Sequence, residues 1–77
     1  MKIKLHKDAQ KYLMRLPNKT KSSILIAINK LPEGDVVPLK GRHPELRLRT
    51  GSYRVIFEYL GDDIYVKEIG SRGDIYK

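Results

Sequence analysis

Three strand-like runs fill the C-terminal half of the chain, with two residues between each. ELRLR (45–49) alternates charged and apolar residues. SYRVIFEYL (52–60) is rich in aromatic and β-branched residues, and DIYVKEIG (63–70) continues in the same manner. The links Thr50-Gly51 and Gly61-Asp62 are turn dipeptides. A parallel crossover needs a dozen or more residues, so links this short admit only tight antiparallel hairpins. The runs are therefore read as a three-stranded meander.

The N-terminal half has a different period. KIKL (2–5) alternates as a short strand, but from Lys7 onward Ala9, Tyr12, Leu13 and Leu16 fall on one helical face. Asp8 in the first turn favours the helix dipole, and Pro17 ends the helix. Asn18 is the expected cap of a second helix with an apolar stripe of Ile24, Leu25, Ile28 and Leu31, stopped by Pro32 and Gly34. Residues 7–31 thus read as a helical hairpin whose apolar faces require a sheet to cover. PEGDVVPLKGRHPE (32–45) reads as a loop. The expected fold is α+β, in the order β-α-α-β-β-β, with the hairpin on a small antiparallel sheet.

The 77 residues are expected to form one domain, 1–77. A domain of this size buries only about 60% of its unfolded surface. The chain has no cysteine, which excludes disulfides and thiolate metal sites. No apolar run is long enough for a signal peptide or a membrane span, so a soluble cytoplasmic protein with no membrane partner is expected.

Taking Thr50-Gly51 and Gly61-Asp62 as the turns predicts the pairs Arg47/Arg54, Arg49/Ser52, Leu60/Asp63 and Phe57/Val66. One face then collects Leu46, Leu48, Tyr53, Val55, Phe57, Tyr59, Ile64 and Val66, with Glu68 the one misfit. The other collects Glu45, Arg47, Arg49, Arg54, Glu58, Tyr65 and Lys67, with Ile56 and Ile69 among them. A slip of one residue would mix the two sets.

Two guanidiniums facing one another across strands repel by about 2–3 kcal/mol at roughly 6 Å, before salt screening. A fold selected for stability alone would place a carboxylate there. Phosphate is the natural partner for guanidinium, so Arg47 and Arg54 are candidate phosphate ligands. The net charge of +7 and a pI near 9.8 also point to a polyanion. In the tail GSRGDIYK (70–77), Gly70 and Gly73 free Arg72 to swing toward the same end of the sheet. Tyr76 serves either to stack on a base and move a proton, or to anchor the C-terminus.

His6 and His43 lie in separate segments, and no metal-ligand spacing, carboxylate pair or serine relay stands out. Such a site suits metal-independent RNA cleavage. The RNA supplies its own 2′-hydroxyl, while the protein orients the chain, stabilises charge at phosphorus and moves protons.

LRLRTGSYRVIFEY and GSRGDIY, within the order of elements already described, resemble the RelE/ParE toxin superfamily, nearest to the RelE messenger-RNA interferases. The resemblance implies a type II toxin that cuts messenger RNA in the ribosomal A site without cofactor or metal. Its partners would be an acidic antitoxin, messenger and ribosomal RNA, and operator DNA only through the antitoxin complex. By motif, Arg54 corresponds to the family's phosphate-binding arginine, Arg72 to its tail arginine, and Tyr76 to its stacking or proton-transferring tyrosine. Arg47 matches a basic position where relatives carry lysine. Lys40, Arg42, Arg49 and Lys67 are expected to position RNA backbone. Glu45 stands where some relatives have a second lysine, and Ser71 where many have histidine. The alternatives are a ParE-like gyrase inhibitor and an inactive, antitoxin-binding relative. Either toxin reading calls for an apolar groove for the antitoxin, with Ile56 and Ile69 as contact candidates.

Overall fold

The computed structural model describes residues 2–31, 33–41 and 43–71. The order is β1 (Ile3–Leu5), α1 (Lys7–Met14), α2 (Asn18–Asn29), β2 (Asp35–Pro38), β3 (Leu46–Thr50), β4 (Tyr53–Leu60) and β5 (Asp63–Ser71). The strands form one five-stranded sheet in the order β1-β5-β4-β3-β2. β1 runs parallel to β5, and every other pair is antiparallel. The α+β expectation holds, with a mixed sheet and one strand more than the sequence suggests. The extra strand is β2, within the stretch read as a loop. Val36 and Val37 supply its β-branched residues, and it pairs with β3 at the sheet edge. Pro38 is tolerated because an edge strand leaves one row of backbone donors unpaired.

Both helices lie on one side of the sheet. Ala9 and Leu13 of α1 and Ile24, Ile28 and Leu31 from α2 and its end meet Leu48, Val55, Phe57, Ile64, Val66 and Ile69. His6 caps α1, its Nδ1 accepting from the Asp8 N–H at 3.1 Å, so this lone histidine has a local structural role. α2 starts one residue earlier than expected. Pro17 occupies its N-cap with no side-chain hydrogen bond, and Asn18 is the first helical residue. The preset φ of proline suits a helix start, and its missing N–H removes a donor that would have no partner there.

The second turn is as expected: Leu60 pairs with Asp63, and Phe57 with Val66. The first turn is not. Thr50 pairs with Tyr53 and Arg49 with Arg54, so the turn residues are Gly51 and Ser52, and Arg47 faces Ile56 rather than Arg54. Gly51 takes φ +59°, and among the described residues no non-glycine residue has a positive φ. A Thr50-Gly51 turn of the tightest kind would ask threonine for that conformation, which a β-branched residue resists. The corrected register displaces each partner by two positions, so no residue of β3 or β4 changes face.

β5 does change face along its length. Ile56 pairs with Glu68 while the adjacent Phe57 pairs with Val66, leaving Lys67 as the extra residue of a β-bulge. The bulge turns Glu68 outward and Ile69 into the core, where it is 6% exposed. It explains the misfit of Glu68 and removes Ile69 as an antitoxin contact. Ile56 lies on the face away from the helices but is 0% exposed, so it too offers no surface to a partner.

If the bulge sets the inward face as described, Ile69→Ala should cost about 2–5 kcal/mol in urea unfolding. Leu60→Ala, at an exposed site, should stay within about 0.5 kcal/mol. Equal, small effects would contradict the register of β5.

Candidate functional site

The face of the sheet away from the helices is ordered in rows. Asp35, Arg49, Arg54 and Gly70 form one row across four strands. Val37, Arg47, Ile56 and Glu68 form the next. Beyond them, Glu58 pairs with Tyr65, and Tyr65 with Lys4. The arginines gather toward the Gly51-Ser52 turn, while the carboxylates are divided between the two ends.

Arg54 is the one charged residue among the buried polar groups, at 5% exposure. Its Nε is buried with no hydrogen-bond partner. Among the described residues no carboxylate forms an ion pair with it. A buried charge is normally paired, because losing water costs more than packing returns. An orphaned, buried donor calls for an explanation, and an absent anion supplies one.

Its neighbours are differently placed. Arg49 Nε lies 2.6 Å from Asp35 Oδ2, and Arg47 Nη2 lies 3.6 Å from Asp35 Oδ1. One carboxylate therefore serves two guanidiniums, closely for Arg49 and loosely for Arg47. The Arg47 Nε is, like that of Arg54, buried without a partner. The cross-strand cationic pair is Arg49 with Arg54, and Asp35 offsets much of that repulsion from the Arg49 side.

A second cluster closes the other end. Lys67 Nζ lies 2.7 Å from Glu45 Oε2 and 3.9 Å from Glu58 Oε2, all three side chains being partly buried. The bulge at Lys67 sends this long side chain over β4 to reach Glu45. Glu45 is thus one side of an ion pair reaching across the sheet to Lys67.

The structure brings Arg47, Arg49 and Arg54 together around the first rows, as the sequence suggests, with a different pairing. Lys67 lies among carboxylates rather than among these arginines. Lys40 is exposed in the turn after β2, at the Glu45 end of the sheet. Arg42, Arg72 and Tyr76 lie outside the described residues. Sequence reasoning missed Asp35, because its segment was read as loop. The signal was the pair of valines between Gly34 and Pro38. Among the described residues no group of three potential ligands could hold a metal ion. No helix of the described residues is long and apolar enough to cross a membrane. Two shallow clefts of about 240 and 290 Å³ lie beside α2; Asp35 and Arg49 help line the larger, and Arg54 lines neither.

Residues 3–76 match the family model for the ParE toxin of type II toxin-antitoxin systems. No curated protein matches the chain. Among solved structures, the fold is similar to a chain of the RelB-RelE antitoxin-toxin complex from Methanococcus jannaschii. That pair shares 26% identity over 95% of this chain and 94% of the other, with a TM-score of 0.79. A chain of the RelE-RelB complex from Pyrococcus horikoshii OT3 matches at 26% identity, 95% and 96% coverage and TM-score 0.73. A chain of RelBE2 from Mycobacterium tuberculosis shares the fold at 17% identity, 92% and 96% coverage and TM-score 0.70. The family match over nearly the whole length, on this fold, places the chain in the ParE toxin family of the RelE/ParE superfamily, as a toxin of a type II toxin-antitoxin system.

Proposed function

We propose that this toxin is an endoribonuclease that cuts messenger RNA in the ribosomal A site, and that an acidic antitoxin holds it inactive. The observation that carries the reading is the Arg54 guanidinium, buried, with an orphaned Nε and no carboxylate partner among the described residues. Phosphate would supply the missing charge and acceptors. Two of the similar structures are RelB-RelE complexes, which supports a protein antitoxin as partner. The net charge of +7 suits an acidic one.

In this reading the 2′-hydroxyl of the RNA attacks the adjacent phosphorus, and the 5′ oxygen leaves. Arg54 and Arg47 donate to the non-bridging oxygens as negative charge builds on them. Such preorganised donors act most strongly where water is excluded. Arg72 would join them from the tail, and Tyr76 would stack on a base or carry a proton. Lys40 and Arg42 would hold RNA backbone, while Arg49, already paired with Asp35, would contribute less to RNA contact than its charge suggests. Lys67, flanked by Glu45 and Glu58, contributes less to this field than its charge alone suggests.

Arg54→Ala should lower cleavage on programmed ribosomes by about 10²–10³-fold, with circular dichroism checking that the fold survives. Arg54→Lys should recover only part of the loss, since an ammonium cannot make the forked contact. Full activity in the folded alanine variant would defeat the assignment.

The family model carries the ParE name, which supports a second reading: a ParE-like toxin that acts on DNA gyrase, as the resemblance to ParE toxins implies. Mapping RNA ends after induction of the toxin alone separates the two. Cuts in phase with codons are expected. Trapped gyrase with uncut messages would support the second reading, and normal growth would indicate an inactive relative.

A further inference from the structure

Arg47 and Arg49 share the carboxylate of Asp35, while Arg54, level with Arg49, has no ion pair among the described residues. Asp35 sits on the edge strand β2, directly across from Arg49. Its two oxygens are divided between two arginines: Oδ2 takes Arg49 Nε at 2.6 Å, and Oδ1 lies 3.6 Å from Arg47 Nη2. At the far end of the same row, Gly70 places no side chain beside Arg54.

We propose that Asp35 is a positioning residue for the anion site. It immobilises Arg49 as a strut, steers the Arg47 guanidinium, and leaves Arg54 without an ion pair among the described residues. The inference rests on the proposed RNA-cleaving function and deepens it by separating the arginines into two roles. Arg49 is satisfied internally and shapes the row. Arg54, with Arg47 held beside it, receives the phosphate. A carboxylate inside an RNA-binding row weakens affinity, because it repels phosphate and competes for guanidinium. The compensating gain is geometry: a long arginine side chain free to follow any passing phosphate is poorly placed for the one that reacts. Asp35 exchanges loose binding strength for a fixed arrangement of donors.

This division has a distinctive consequence. Removing the charge frees guanidiniums that were already neutralised, so binding to RNA should strengthen while turnover falls. A merely structural residue would lower both together. The experiment compares the full-length wild-type toxin with Asp35→Asn, Asp35→Glu and the double variant Asp35→Asn/Arg49→Gln. Binding is read by fluorescence anisotropy with a labelled single-stranded RNA carrying a 2′-deoxy block, across a range of KCl concentrations. The plot of log affinity against log salt should steepen by about 0.7 for each guanidinium released in Asp35→Asn. On programmed ribosomes its KM should fall and its kcat should drop about ten- to hundredfold. Asp35→Glu should return part of the kcat, and the double variant should bring the salt slope back toward wild type. An unchanged salt slope and KM in a folded Asp35→Asn protein would overturn the proposal, as would a parallel loss of affinity and turnover. Failure of the wild type to cut RNA would overturn the proposed function instead. The salt slope on free RNA would still decide the role of Asp35.

Discussion

The register of β3 on β4 decides what this surface can do. It is set by Gly51, whose positive φ makes it the first residue of a two-residue turn and keeps Thr50 in the strand. Every β3–β4 neighbour on the polar face follows from that choice. Arg54 meets Arg49, Arg47 meets Ile56, and Asp35 falls level with Arg49 through the next pairing outward. A turn placed one residue earlier would seat Arg47 opposite Arg54 and Arg49 opposite Ser52, with Asp35 still facing Arg49 through the separate β2–β3 pairing. The electrostatics of the site are therefore a consequence of backbone geometry at one glycine.

On that frame the polar face divides into regions of different charge balance. The rows nearest the turn carry three guanidiniums and the carboxylates of Asp35 and Glu68, while the far end gathers Glu45 and Glu58 around Lys67. The excess of positive charge is local. It centres on Arg54, which is withdrawn from solvent and has no carboxylate of its own among the described residues. This distinction between total charge and uncompensated charge separates a basic protein from an anion site. Lys67 and Arg49 add to the first, and Arg54 supplies the second.

Much of the fold is legible in the sequence because it rests on period and punctuation. The two helices show in the spacing of Ala9, Leu13, Ile24 and Ile28, and the β4–β5 hairpin shows in Gly61-Asp62. The sorting of β3 and β4 into an apolar and a charged face survives the corrected register, because a displacement of two preserves alternation. Three features were hidden for physical reasons. β2 is four residues long, bordered by proline, and takes its identity from pairing with β3 rather than from its own pattern. The bulge at Lys67 reverses alternation within a strand, and the sole trace of it was Glu68 on the wrong face. Asp35 was invisible as a site residue because its role depends on a strand that propensity alone does not reveal. The arginines were legible as a group, but which of them already has an internal partner depends on coordinates.

The central proposal is that the buried Arg54 guanidinium binds an RNA phosphate. Arginine Nε–Hε resonances in a proton–nitrogen correlation spectrum test it directly, with Arg54→Lys used to assign the signal. Titration with the 2′-deoxy-blocked RNA should move the Arg54 Nε signal along a saturable curve, well beyond any change at Arg49. A stationary Arg54 signal, with shifts confined to exposed lysines and arginines that fade as salt is raised, would contradict the account.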